Sequence, residues 1–274
     1  MKSFGKILVF LVSIPLALVL ILALTIRFQF LREGFYFQAF EKHMVYERLE
    51  EEVKSLAGDE FIQDLSREEN LTPSEVAQTK RDFSIIAESL TGTLIKEVIE
   101  KNISLVLSFV RGEVNELSFH LPLQEVKLPS GFLPSGFGFQ GEVPAEALFS
   151  NFGAPGLLSD YSLRIKNAAA ILSLSIVVLI LFFAFFFYLL KERLFGYLLI
   201  ATSILTAVSA TFVRFAALGM QKDLSASTMV GDRIIAIIYP TLFLETSIVW
   251  FILAIGLFVG GALFVIVKRN AVKS

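Results

Sequence analysis

Two kinds of pattern divide this chain: long unbroken apolar runs, and one extended stretch in which apolar and charged positions interleave. The apolar runs are residues 7–26, 168–190, 194–218 and 241–267. A helix needs about 20 predominantly apolar residues to cross the hydrocarbon of a bilayer. Lipid offers no hydrogen bonds to an open backbone, so each run must be helical. The pattern predicts an all-α membrane protein with four transmembrane helices. The first run is longer than the apolar core of a cleaved signal and lacks a small-x-small site, so it is expected to be an uncleaved anchor, kinked at Pro15. Only Lys191, Glu192 and Arg193 separate the second and third runs. A tight helical hairpin is expected there.

The interleaved stretch, 27–166, predicts a mainly helical domain with a short β element. Over 35–56, Phe37, Phe40, Met44, Tyr46, Leu49, Val53 and Leu56 recur mostly at spacings of three and four, the period of one amphipathic helix. Thr72-Pro73-Ser74-Glu75 has the form of a capping box with Pro at the first helical position. That helix is expected to run to about Leu90 and to break at Thr91-Gly92-Thr93. A further helix carries Leu94, Ile95, Val98, Ile99, Ile103, Val106, Leu107 and Val110 on one face and ends at Gly112. The period then falls to two. Leu117, Phe119, Leu121 and Leu123 alternate with Ser118, His120, Pro122 and Gln124, a strand signal with Pro122 marking an edge. Its partner strand is not identifiable. Residues 128–160 are rich in Gly, Pro and Phe, with Leu-Pro-Ser-Gly-Phe repeated at once. Gly and Pro forbid a long regular element, and the apolar content is unlike a solvated linker. This loop either packs onto the helices or offers a contact surface, with Phe132, Leu133, Phe137 and Phe139 as its candidate contacts.

Charge orients the spans. The segments 1–6, 191–193 and 268–274 hold seven Lys/Arg and one Glu, whereas 27–166 holds 14 Lys/Arg and 22 Asp/Glu. Basic short loops stay in the cytoplasm. Both termini and the 191–193 turn are therefore expected to be cytoplasmic in a cell (plasma) membrane. The domain at 27–166 and the loop at 219–240 are then extracytoplasmic. Only sixteen residues face the cytoplasm, too few for any kinase, ATPase or signalling domain. Composition agrees: 55% of residues are hydrophobic and 18% charged, against about 25% charged in soluble domains.

Little of the sequence carries chemistry. Cysteine is absent, which excludes disulfides, thiolate metal sites and a cysteine nucleophile. His43 and His120 are far apart, with no metal-ligand spacing, and each reads as a surface or half-buried residue. No zinc-protease, nucleophile-elbow or phosphate-loop pattern occurs. No catalytic residue, metal or cofactor is expected. The run Glu47, Glu50, Glu51 and Glu52 reads as a solvated helix face, with weak divalent-ion binding as the alternative. An acidic domain without aromatic–basic interleaving disfavours nucleic acid. Sequons at Asn70 and Asn102 leave glycosylation open.

Within the spans, Arg214 and Glu245 fall at a similar depth near the same boundary and are expected either to pair between the third and fourth helices or to reach the headgroups separately. Ser203, Ala207 and Thr211 form a small-residue stripe, and Gly256 and Gly260 another. Both are expected to pack helix on helix. The Phe-rich stretch 182–187 is expected to face lipid or pack loosely.

The stretch Phe35-Tyr36, Val45-Tyr46-Glu47-Arg48-Leu49, Leu71-Thr72-Pro73, Val110-Arg111-Gly112-Glu113 and Leu117-Ser118 is similar to a pattern in uncharacterised prokaryotic four-span membrane proteins with a helical domain after the first span. That resemblance covers roughly residues 30–125 and implies no activity. The span order also resembles permeases of the MacB and FtsX type, but Lys191-Glu192-Arg193 is too short to couple an ATPase. The expectation is a non-enzymatic membrane protein, embedded in the lipid bilayer, whose extracytoplasmic domain binds a protein partner, lipid or a second copy. The alternative is an accessory or permease-like subunit of a transporter.

Overall fold

A computed structural model describes residues 3–56, 62, 72–122, 126, 141–147, 168–227 and 230–271. In chain order the elements are α1 (Ser3–Thr25) with a π-turn (Ile26–Phe30), α2 (Glu33–Lys42), α3 (Val45–Leu56), α4 (Pro73–Ser89), α5 (Gly92–Val110), β1 (Ser118–His120), β2 (Glu142–Pro144), α6 (Ala168–Ser225) and α7 (Val230–Ala271). The protein is an α-helical multi-pass membrane protein. Among the described residues, four helical segments are long and apolar enough to span a bilayer: Gly5–Phe30, Ala169–Leu190, Leu194–Ser225 and Gly231–Ile266. Two compact units result. The membrane unit is Met1–Phe35, Ala168–Asp223 and Tyr239–Ser274, and the polar unit is Tyr36–Asn167 and Leu224–Ile238.

In the membrane unit, helical structure runs unbroken through 191–193. The Phe187 and Phe195 rings nevertheless lie 4.9 Å apart, whereas eight residues of straight helix rise about 12 Å. Phe183 and Leu198 also line one cavity. The axis of α6 therefore turns back on itself, as the three-residue connection requires. Phe264 of α7 stacks edge-on against both Phe187 and Phe195, at 6.2 and 6.0 Å. Of the Phe-rich stretch, Phe182, Phe185 and Phe187 are exposed and Phe186 is buried.

The second arm of α6 and α7 meet along small residues spaced by seven. Gly196, Ser203, Ala210 and Ala217 are buried on one, and Pro240, Ser247, Ala254 and Gly261 on the other. A Cβ on Gly261 would lie 2.7 Å from the Gly196 carbonyl oxygen. One step of seven further along each helix, the Ser203 hydroxyl donates to the Ala254 carbonyl at 2.7 Å. At the same step, Ala210 and Ala217 continue the buried row of one helix, and Ser247 and Pro240 that of the other. Seven is the period of helices wound in a left-handed supercoil, and small side chains let backbones approach where lipid supplies no hydrophobic drive. Helix α1 joins this pair through Trp250, whose Nε1–H donates to Thr25 Oγ1 at 2.8 Å.

In the polar unit the capping box is present in full. The Glu75 amide donates to Thr72 Oγ1, and the Thr72 amide donates to Glu75 Oε2 at 2.7 Å. Thr91 caps α5 in turn. Gly112 closes α5 at φ 76°. Its amide donates to the Phe109 carbonyl and the Glu113 amide to that of Ser108, the paired bonds of a Schellman motif.

The single helix expected over 35–56 is two. Met44 adopts a left-handed φ of 51° between α2 and α3. The turn allows Phe40, Val45 and Tyr46 all to be buried, with the Phe40 and Tyr46 rings 6.0 Å apart. One straight helix would hold Phe40 and Tyr46, six residues apart, on faces about 120° from each other. The strand finds its partner in β2, antiparallel, with Phe119 opposite Val143 and His120 opposite Glu142. In this strand His120 is buried and Phe119 half-buried. The segment 219–240 is largely helical, since α6 continues to Ser225 and α7 begins at Val230.

Candidate functional site

The groove on the polar unit is a product of how α5 is used. Leu94, Ile95, Leu107 and Phe109 are buried against the other helices, and α3 packs on both α4 and α5. The remaining apolar positions stay half-buried. Val98, Ile99, Asn102, Ile103, Val106 and Leu107, with Tyr36 of α2, line a groove of about 320 Å³. Burial at its edge raises the Tyr36 hydroxyl above its usual range.

Asn102 is the polar group in this wall, and its amide is fully engaged. Nδ2 donates to the carbonyls of Val98 and His120 at 2.8 and 2.9 Å, and Oδ1 accepts from the His120 amide at 2.7 Å. The side chain thus acts as a third strand beside β1 and draws His120 into the interior. His120 is buried where a surface or half-buried position was expected, while His43 is half-buried.

The acidic run is less solvated than the pattern suggested. Glu47 and Glu51 are exposed. Glu50 accepts from the Gly92 amide at 2.6 Å and so caps α5. The hydrogen bond from Lys54, helped by that from Gly92, lowers the Glu50 carboxyl below its ordinary pKa against an opposing effect of burial. Glu52 forms a two-pronged pair with Arg233 of α7, Nε–Oε1 2.7 Å and Nη2–Oε2 3.0 Å. A second cluster joins α2, α3 and α5. Tyr46 donates to Glu100 Oε1 at 2.9 Å, and Lys96 pairs with Glu41 and sits 5.7 Å from the Tyr46 ring centre. Burial, then the bond to Glu100, raises the Tyr46 hydroxyl far above its usual value. These charges tie helices together. Among the described residues no group of three His, Asp or Glu is placed to hold a metal ion.

The residues singled out within the spans separate into two sets. Ser203 is in the helix seam, but Ala207 is half-buried and Thr211 is exposed, donating back to the Ala207 carbonyl of its own helix. Gly256 and Gly260 have open space where a Cβ would stand. The close approach is made by Gly196 and Gly261 instead, because the contact recurs every seven residues rather than every four. Arg214 is exposed and Glu245 half-buried. Phe132, Leu133, Phe137 and Phe139 lie outside the described residues.

No family model, curated protein or solved structure matches this chain.

Proposed function

We propose that this is a non-enzymatic multi-pass protein of the plasma membrane, with both termini cytoplasmic, whose domain at 27–166 works outside as a contact module for a protein partner, lipid or a second copy. The open apolar groove on α5 carries the reading. Ile99, Ile103 and Val106 remain half-buried beside Tyr36. Apolar surface left open beside a packed core is a common mark of an interaction site. The basic short segments at 1–6, 191–193 and 268–274 support the orientation.

Site-specific photo-crosslinking in intact cells tests it. A benzophenone side chain at Ile99 or Val106 should give a discrete adduct whose mass separates a partner protein, a second copy and lipid. Ile103→Asp should remove the adduct while leaving membrane insertion intact. A chain that forms no adduct from either position would refute the contact role.

A further inference from the structure

The membrane unit holds a cavity of about 480 Å³ between α1, both arms of α6 and α7. Its wall is almost wholly hydrocarbon, with Leu20, Leu24, Phe28, Phe183, Leu199 and Leu253 prominent and, among the described residues, no ionisable side chain. Two lining residues carry buried polar atoms without a partner among the described residues: Gln29 Oε1 and Thr202 Oγ1. Thr202 is only 2% exposed.

Neighbouring hydroxyls show how unusual this is. Ser13, Thr25, Ser173, Thr206 and Thr246 each donate to a carbonyl one turn back in their own helix, the usual way a hydroxyl is satisfied in a span. Ser203 donates across to α7. Thr202 does neither, although it sits in an apolar space where an unpaired hydroxyl is costly.

We propose that this cavity binds one neutral, lipid-soluble glycerol ester with a single hydrocarbon chain. The volume falls within the range of about 300–1,000 Å³ usual for small-molecule sites. The absence of ionisable lining disfavours an anionic or zwitterionic headgroup, whose charge would be desolvated without a counter-charge. Gln29 Oε1 is an acceptor only, so an occupant that satisfies it brings an O–H or N–H donor, and a glycerol hydroxyl is one. Thr202 can donate to an ester carbonyl or exchange with a second hydroxyl. A glycerol monoester offers both groups on one apolar chain. Gln29 lies one residue from the end of the first span, the depth at which a glycerol head meets the polar boundary. This site is independent of the α5 groove.

The protein contains its own reporter. Trp250 is the sole tryptophan. Its neighbour Val249 lines the cavity, and its indole donates to Thr25, which lines it too. The full chain is reconstituted in phosphatidylcholine nanodiscs and titrated with a dibromostearoyl glycerol monoester, with dibromostearoyl phosphatidylcholine at equal bromine density as reference. Saturable quenching of Trp250 by the monoester alone, reversed by unbrominated monoester, is expected. Gln29→Leu and Thr202→Val should each weaken half-saturation roughly three- to tenfold, the worth of one neutral hydrogen bond. The wild-type competition decides the matter even if a variant fails to fold. Quenching that rises linearly and equally for both lipids, or that unbrominated monoester does not reverse, means bulk lipid fills the space and overturns the proposal. So does half-saturation unchanged in both variants.

Discussion

The hydroxyl of Ser203 donates to the main-chain carbonyl of Ala254 on the neighbouring antiparallel helix, at 2.7 Å. One step of seven residues away, Gly196 and Gly261 bring the same two backbones so close that neither tolerates a Cβ without movement. A carbonyl within a helix has a second lone pair, and Ser203 reaches it only because the seam is lined by small residues. Interhelical hydrogen bonds of this kind are worth about 0.6 kcal/mol on average. The seam therefore rests more on close packing than on the bond.

Gly261→Leu should destabilise the membrane unit by about 1–3 kcal/mol, the usual cost of overpacking. Gly196→Leu should do the same, since its Cβ would lie 2.9 Å from Val265 Cγ2 and 3.0 Å from the Gly261 carbonyl oxygen. Gly256→Leu and Gly260→Leu, where space is open, should stay within about 0.5 kcal/mol. Reversible unfolding in mixed micelles measures all four. Equal effects at 256 and 261 would show that the seam runs elsewhere.

That contrast also shows what the sequence disclosed and what it withheld. The four spans were legible because apolar run length answers directly to bilayer thickness. The caps at Thr72 and Gly112 were legible because each is complete within a few residues. The seam was not: small residues at intervals of four, such as Thr211, Gly256 and Gly260, do not mark it, because the contact recurs every seven. The break at Met44 gives no local signal, since a non-glycine residue in the left-handed region is held there by the tertiary burial of Phe40 and Tyr46. The strand partner, Glu142–Pro144, is three residues long beside a Gly/Pro-rich loop and has no period of its own. Of the groove, the apolar face of α5 was readable, but which part of it stays uncovered depends on α2, α3 and β1.

The Glu52–Arg233 pair joins α3 to the first turns of α7 within the polar unit. Arg233→Met leaves a mostly buried carboxylate without its partner and should cost about 1–3 kcal/mol. The value should fall toward the lower end because the Arg233 side chain is 31% exposed and screened by solvent. Glu52→Arg with Arg233→Glu should recover part of the loss. Proteolytic susceptibility of the 224–238 segment reports both. A swap no better than the single change would show that the pair contributes shape rather than charge.

Acid should loosen the start of α5. The Glu50 carboxyl is lowered in the folded state by Lys54 and by the Gly92 amide. A group whose folded pKa lies below its unfolded value stabilises the fold above the unfolded value, 4.5, and loses that contribution as pH falls through the folded one. Amide-exchange protection at Gly92 and Leu94, corrected for intrinsic rates, should therefore hold from pH 7 to about 4.5 and decline below it. In Glu50→Gln the decline should be smaller. An unchanged profile in that variant would assign the acid sensitivity to another carboxyl, Glu75 at the α4 cap being the next candidate.

Asn102→Ala removes three hydrogen bonds to Val98 and to the β1 backbone and leaves two groups of His120 unpaired, which should cost about 1–3 kcal/mol. The same bonds occupy the nitrogen that a glycan would need. The Asn102 sequon should therefore remain unmodified when the chain is made in a glycosylating host, read as no mass shift on glycosidase treatment. A glycan at Asn102 would mean that β1 does not dock on α5 in the cell.

In the proposed arrangement, four crossings put the two chain ends on one face of the membrane and residues 27–166 on the other. Reporters fused after Ser274 and inserted near Ser130 test this directly. Fluorescent protein should be active only at the C-terminal fusion and alkaline phosphatase only at the insertion. Both positions reporting the same compartment would contradict the arrangement on which the proposed role of the α5 groove depends.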